Sequence, residues 1–207
     1  MNYAHVVSGA VSAYPFSDHQ LRQLYSNTSF PADMTDAVRK DWGMLPVIEE
    51  PPEHDSRRQY VTLKATSQWA VANGKVTAAY TVHDRTLQER RDILIPRIEQ
   101  MRWDKEVGGM IFNTMPIPTD DRAKTLIMGA RTAAVEQGDA YSDEWKISPG
   151  VYVPLNATAA IALGDALLAH IRACFAREKA LIQAVLDANT HNAMDEAEDA
   201  IGEGWPA

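Results

Sequence analysis

The chain has 207 residues, a formal net charge of −8 and an ordinary apolar fraction, which allows one large or two small folded domains and excludes disorder of the whole chain. An acidic balance excludes nucleic acid as the main partner, because a duplex binder needs a surplus of Lys and Arg to displace condensed counterions. The lone Cys174 excludes an internal disulfide and a cysteine zinc site, and its apolar helical setting marks it as a small core residue.

Residues 3–13 are apolar around Gly9 and predict a short hairpin. Ser17 is the expected N-cap of a helix carrying Leu21 and Leu24, which ends near Asn27. Phe30-Pro31 leads into a second short helix with Met34, Ala37 and Val38 on one face, stopped at Gly43. Glu49-Glu50-Pro51-Pro52-Glu53 is a polar, proline-rich loop or linker. Residues 59–83 predict one β-hairpin: Tyr60, Leu63, Trp69 and Val71 lead to an Asn73-Gly74 turn. Val76, Ala78, Tyr80 and Val82 then follow at period two, on one face.

Thr86 with Glu89 forms a capping box for a helix to about Val107, in which Pro96 predicts a kink or break. Gly108-Gly109 stops it, and residues 110–114 form a short strand, with Pro116 and Pro118 flanking Ile117 in a turn. Thr119 is expected to cap the next helix, which begins with Asp120-Asp121, places Leu126, Ile127, Ala130 and Ala134 inward, and closes at Gly138. Trp145-Lys146-Ile147 and Val151-Tyr152-Val153 read as two short strands around Ser148-Pro149-Gly150.

Asn156 caps a long helix to about Asp187, spanning roughly 45 Å at 1.5 Å per residue. Ile161, Leu168, Ile171, Phe175, Ile182 and Val185 form one apolar stripe on it, and Leu163, Leu167, Cys174 and Leu181 form another beside it. After Asn189 the chain is acidic (Asp195, Glu196, Glu198, Asp199, Glu203) and is expected to be a loosely held helix or a flexible end. The fold class is therefore α+β. Residues 1–84 form an N-terminal module, 85–109 a kinked linker helix, 110–188 a helical C-terminal domain, and 189–207 an acidic tail.

No phosphate loop, dinucleotide fingerprint, zinc-protease helix or nucleophile elbow occurs, so no catalytic, cofactor or metal residue is assigned. His83-Asp84 reads as a turn before a helix cap rather than a proton-transfer pair, and Asp120-Asp121 as a helix start rather than a cation site. His170 lies beside the long helix's apolar face as a packed histidine. Trp69 and Trp145 belong to the core, and Trp205 is the interface candidate. No signal peptide and no uninterrupted apolar stretch of membrane-spanning length is present, so no membrane span is expected.

Two stretches resemble bacteriophage tail proteins. Tyr14-Pro15-Phe16-Ser17, Gln20-Leu21-Arg22, Asn27-Thr28-Ser29-Phe30-Pro31, Trp42-Gly43 and Pro46-Val47, followed by Val82-His83-Asp84-Arg85-Thr86, are similar to the N-terminal module of tail and tail-fibre-associated proteins. Residues 97–188 resemble an uncharacterised phage domain at the C-terminus of such proteins, through Gly108-Gly109, Thr119-Asp120, Gly129-Ala130, Trp145-Lys146, Leu155-Asn156-Ala157 and the run from His170 to Phe175.

The resemblance implies synthesis in a host cytoplasm and residence in the virion tail, as a fibre, adaptor or baseplate-associated protein. It implies no catalytic residue. A tail-fibre assembly chaperone absent from the finished particle is the alternative; a cell-wall hydrolase built on a carboxylate pair finds no supporting spacing. The expected partners are other tail proteins and further copies of the chain. The apolar surplus at Phe175, Leu181, Ile182, Val185 and Trp205 is the expected docking surface.

Overall fold

A computed structural model describes residues 2–148 and 150–206, and Pro149 of the expected 148–150 turn lies outside them. The chain is mixed α+β and separates into two compact units, Met1–Arg85 and Thr86–Ala207.

In the first unit, β1 (Tyr3–Val7) and β2 (Ala10–Ala13) form the expected hairpin, with both Ser8 and Gly9 at positive φ. Ser17 caps α1 (Asp18–Leu24) in a capping box with Gln20. Thr35 caps α2 (Asp36–Asp41), after which Gly43 turns the chain at φ +73 into β3 (Met44–Ile48). A Cβ at Gly43 would sit 2.6 Å from the Val6 carbonyl oxygen, so this turn requires glycine twice over.

The expected single hairpin over 59–83 is two nested ladders. β4 (Gln59–Leu63) pairs with β7 (Tyr80–Asp84), while β5 (Ala70–Ala72) and β6 (Lys75–Thr77) pair across the Asn73-Gly74 turn. β6 also runs parallel to β3, which completes a sheet ordered β2-β1-β3-β6-β5. The period-two row consequently splits between the ladders. Val76 and Ala78 are buried with Ala4, Leu45, Val47 and Trp69, whereas Val82, one ladder further on, is exposed.

In the second unit, α3 (Leu87–Val107) starts at the Thr86–Glu89 capping box and runs unbroken through Pro96. Pro96 and Asp92 both lie on the exposed side, so the carbonyl deprived of its donor can be hydrated, and the expected break does not occur. β8 (Met110–Phe112) and β9 (Met115–Ile117) form a hairpin, so Pro116 and Ile117 lie in a strand rather than a turn. Its turn residues, Asn113 and Thr114, both have positive φ without a glycine.

Asp120, not Thr119, caps α4 (Asp121–Gln137). Thr119 is fully buried: its hydroxyl donates to the Glu106 carbonyl (2.6 Å) and accepts from the Gly109 amide (2.9 Å). Ile127 and Ala134 face the core and Leu126 faces out, because neighbours in a helix lie about 100° apart. β10 (Ser142–Ser148) and β11 (Val151–Asn156) form an antiparallel hairpin longer than the two short strands expected. Asn156 caps α5 (Ala157–Asp187).

The acidic segment is not a loose end. Thr190 caps α6 (His191–Asp199), and Met194, Ala197 and Ile201 are buried with Leu94 and Ile98 of α3 and Leu181 and Val185 of α5. α3, read as a linker, and the residues after 189, read as a tail, share one core with α5. Trimming Met194 to alanine should cost about 2–5 kcal/mol. Hydrogen exchange is the check: the amides of α3 and the C-terminal half of α5 should exchange faster, while the first unit's sheet is unchanged.

Candidate docking surface

Where the end of α3, the start of α4 and the middle of α5 converge, the charged residues form a closed cluster. Glu106 is buried and accepts from Arg102 and from Lys124. Arg102 also donates to Glu178 at 3.2 Å. Burial works to raise the Glu106 pKa, but the hydrogen bonds from Lys124 and Arg102 outweigh it and hold the carboxyl below its ordinary range.

Two aromatic rings lie over this cluster on the solvent side. The Arg102 guanidinium sits 4.6 Å from the centre of the Phe175 ring and 5.9 Å from that of Trp103, and the Lys124 ammonium sits 5.3 Å from Trp103. Phe175 is 48% exposed and Trp103 41% exposed. Trp, Phe and Arg together are the composition of binding hot spots, and here the cations are fixed by carboxylates behind them.

Of the docking residues expected from sequence, only Phe175 is exposed. Leu181 and Val185 are buried under α3 and α6, so they offer no surface to a partner. Ile182 and Trp205 are half-buried against the same core, and the Trp205 indole donates to the Ile201 carbonyl at 2.7 Å. Trp103, Arg102 and Lys124 were not singled out by the sequence reading. Their signal is tertiary: three helices must meet before both rings share Arg102 and Lys124 reaches Trp103.

A second apolar feature lies beside the β8–β9 hairpin, a cleft of about 520 Å³ lined by Val107, Met110, Ile111, Pro116, Ile117 and Pro118. Ile111 and Pro116 are cross-strand partners, and both face solvent.

The residues considered for chemistry have local uses. The His83 ring bonds the Thr62 hydroxyl (2.7 Å) and stacks on Tyr60, and Asp84 accepts from Gln59. Asp120 caps α4, and Asp121 pairs with Lys124. The His170 ring lies 3.2 Å from the Lys105 carbonyl oxygen, and burial pushes the Cys174 thiol pKa up, away from reactive thiolate character. Among the described residues no group of three or more His, Cys, Asp or Glu is placed to hold a metal ion. Against the expectation that no stretch reaches membrane-spanning length, α5 is by length and composition long and apolar enough to cross a membrane, and a third of its most apolar stretch is buried within the chain. Alanine supplies much of that apolarity: Ala162, Ala169, Ala173, Ala176 and Ala180 line its exposed side, and alanine is the best helix former.

Because the Glu106 pKa is depressed in the folded chain, its stabilisation is present above the unfolded carboxylate value and is lost as pH falls through the folded one. Glu106→Gln should therefore cost about 1–3 kcal/mol at neutral pH. The same change should flatten the loss of stability below about pH 4.5. Urea unfolding followed across pH for both proteins checks the two effects together.

No curated protein and no solved structure matches the chain. A family model described as a domain of unknown function (DUF4376) matches residues 89–202, which hold α4, α5, α6 and all but the first two residues of α3. That match covers more than half of the chain, and the chain belongs to the DUF4376 family.

Proposed function

We propose that the chain is a structural component of a bacteriophage tail, a fibre, adaptor or baseplate-associated protein that works by docking onto other tail proteins rather than by catalysis. The observation that carries the docking part is the exposed Trp103–Phe175 pair held over a neutralised ion cluster. Such a surface presents large rigid apolar area, and its cations already have partners, so little ordering remains to be done on binding. The tail placement rests on the similarity of the Tyr14–Val47 segment to the N-terminal module of tail proteins. Consistent with docking, the residues weighed for proton transfer or cation binding are engaged in caps, ladders and ion pairs.

Mass spectrometry of purified virions of the phage that encodes the chain tests this reading. The expected result is the chain at a copy number comparable to the other tail proteins. Its absence from particles, with recovery only from infected lysate, would overturn the structural role and favour an assembly chaperone that raises the yield of soluble fibre on co-expression.

A further inference from the structure

On α5, Ile161, Leu168, Phe175 and Ile182 recur at intervals of seven residues. This row is distinct from the buried line of Leu163, Leu167, Cys174 and Leu181 and runs along its rim: Ile161, Leu168 and Ile182 are half-buried, and Phe175 is open. A straight helix drifts about 20° per heptad against such a row, so a seven-residue repeat keeps facing a neighbour only when two helices cross with a left-handed twist. Four residues after three of the row's members, on its open side, stand exposed charges: Asp165, Arg172 and Lys179.

We infer that this face pairs with the same face of a second copy of the chain, the two α5 helices antiparallel about a two-fold axis near residues 171 and 172. Self-pairing in parallel and in register sets like against like, Asp165 on Asp165 and Lys179 on Lys179, which is repulsive. The antiparallel arrangement sets Ile161 opposite Ile182, Leu168 opposite Phe175, and Asp165 opposite Lys179, each twice by symmetry. Arg172 meets its own copy at the axis, one like-charge approach between long exposed side chains.

The charges are available for this. Arg131 reaches Asp165 through Oδ1 only (2.8 and 2.9 Å) and leaves its side chain 56% exposed, and Lys179 has no charged partner in its own chain among the described residues. The ends match as well. Val135, one turn beyond Arg131 on α4, is 58% exposed, and Leu186, 48% exposed, follows Ile182 on α5, so open apolar side chains extend the surface beyond the row itself. The pairing concerns the second unit alone, makes a second copy the first occupant of Phe175 and leaves Trp103 to any other tail protein, and holds whether or not the chain resides in a tail.

Light scattering coupled to size exclusion, on the full chain over a dilution series up to about 100 µM, is the test, since weaker association than that is no stable dimer. A mass twice the 22.9 kDa of one chain is expected. Phe175→Glu should yield a monomer with unchanged circular dichroism. Asp165→Lys and Lys179→Asp should each weaken the dimer by about fivefold or more, and the double swap should restore it, because each single change replaces two attractive pairs by repulsive ones. A monomer throughout the series, a trimer, or a dimer indifferent to both charge reversals would overturn the inference. Virion incorporation is read separately, so failure here leaves the tail proposal standing.

Discussion

A fully buried guanidinium organises the second unit. Arg90 on α3 is 1% exposed and pairs with Asp195 (2.7 Å) and Glu198 (2.9 Å) of α6, and it donates to the His191 carbonyl. An unpaired charge at that depth would cost several kcal/mol, so α3 folds stably only with α6 laid across it. Once α6 is there, Met194 and Ile201 close over Leu181 and Val185, and the C-terminal half of α5 has no large surplus to offer on that side. Arg91 adds to the closure by donating to the last carbonyls of α5 and to that of Ala188, groups a helix end leaves without partners. Arg177 likewise holds the final turn through the carbonyls of Ala200 and Glu203.

This constraint explains where sequence reasoning failed. Local signals were legible: Ser17, Thr86 and Asn156 cap the helices expected of them, and Asn73-Gly74 makes its turn, because caps and turns are settled within four residues. The acidic segment misled because charge runs are usually solvated, and nothing local says that two of its carboxylates answer one arginine about a hundred residues away. Thr119 misled for a similar reason. Its spacing suits a cap, but its hydroxyl is taken by Glu106 and Gly109, which leaves Asp120 to cap. The Asn113-Thr114 turn carried no glycine, and so no signal.

The N-terminal motif has a structural reading residue by residue. Tyr14 packs edge-on to Trp69, Phe16 stacks on His5, Leu21 is fully buried, and Arg22 donates to the carbonyls of Pro31 and Ala32. Phe30 meets Trp42 edge-on, and Gly43 fits against the Val6 carbonyl. A motif made of such residues specifies how a small unit folds, not what it binds. Such a motif can mark a class of protein without containing that class's binding surface, so a surface for partners lies in residues outside it.

The side of α5 that α6 leaves uncovered offers such a surface. Two requirements act on one helix there. The core line must follow the straight helix, because α3, α4 and α6 are packed on it and the interior tolerates neither gap nor overlap. The seven-residue row from Ile161 to Ile182 turns slowly about the same axis, with Ile161 resting on the Ala134, Tyr141, Leu155 and Ala160 core at one end and Ile182 on the Leu181 and Val185 core at the other. Between those two anchored ends Phe175 stands open, and Asp165 and Leu186 are exposed beside the row. Phe175, exposed midway over a fixed cation while both ends of the row are anchored, is the member that the folding of one copy leaves uncovered, and the proposed pairing turns on it.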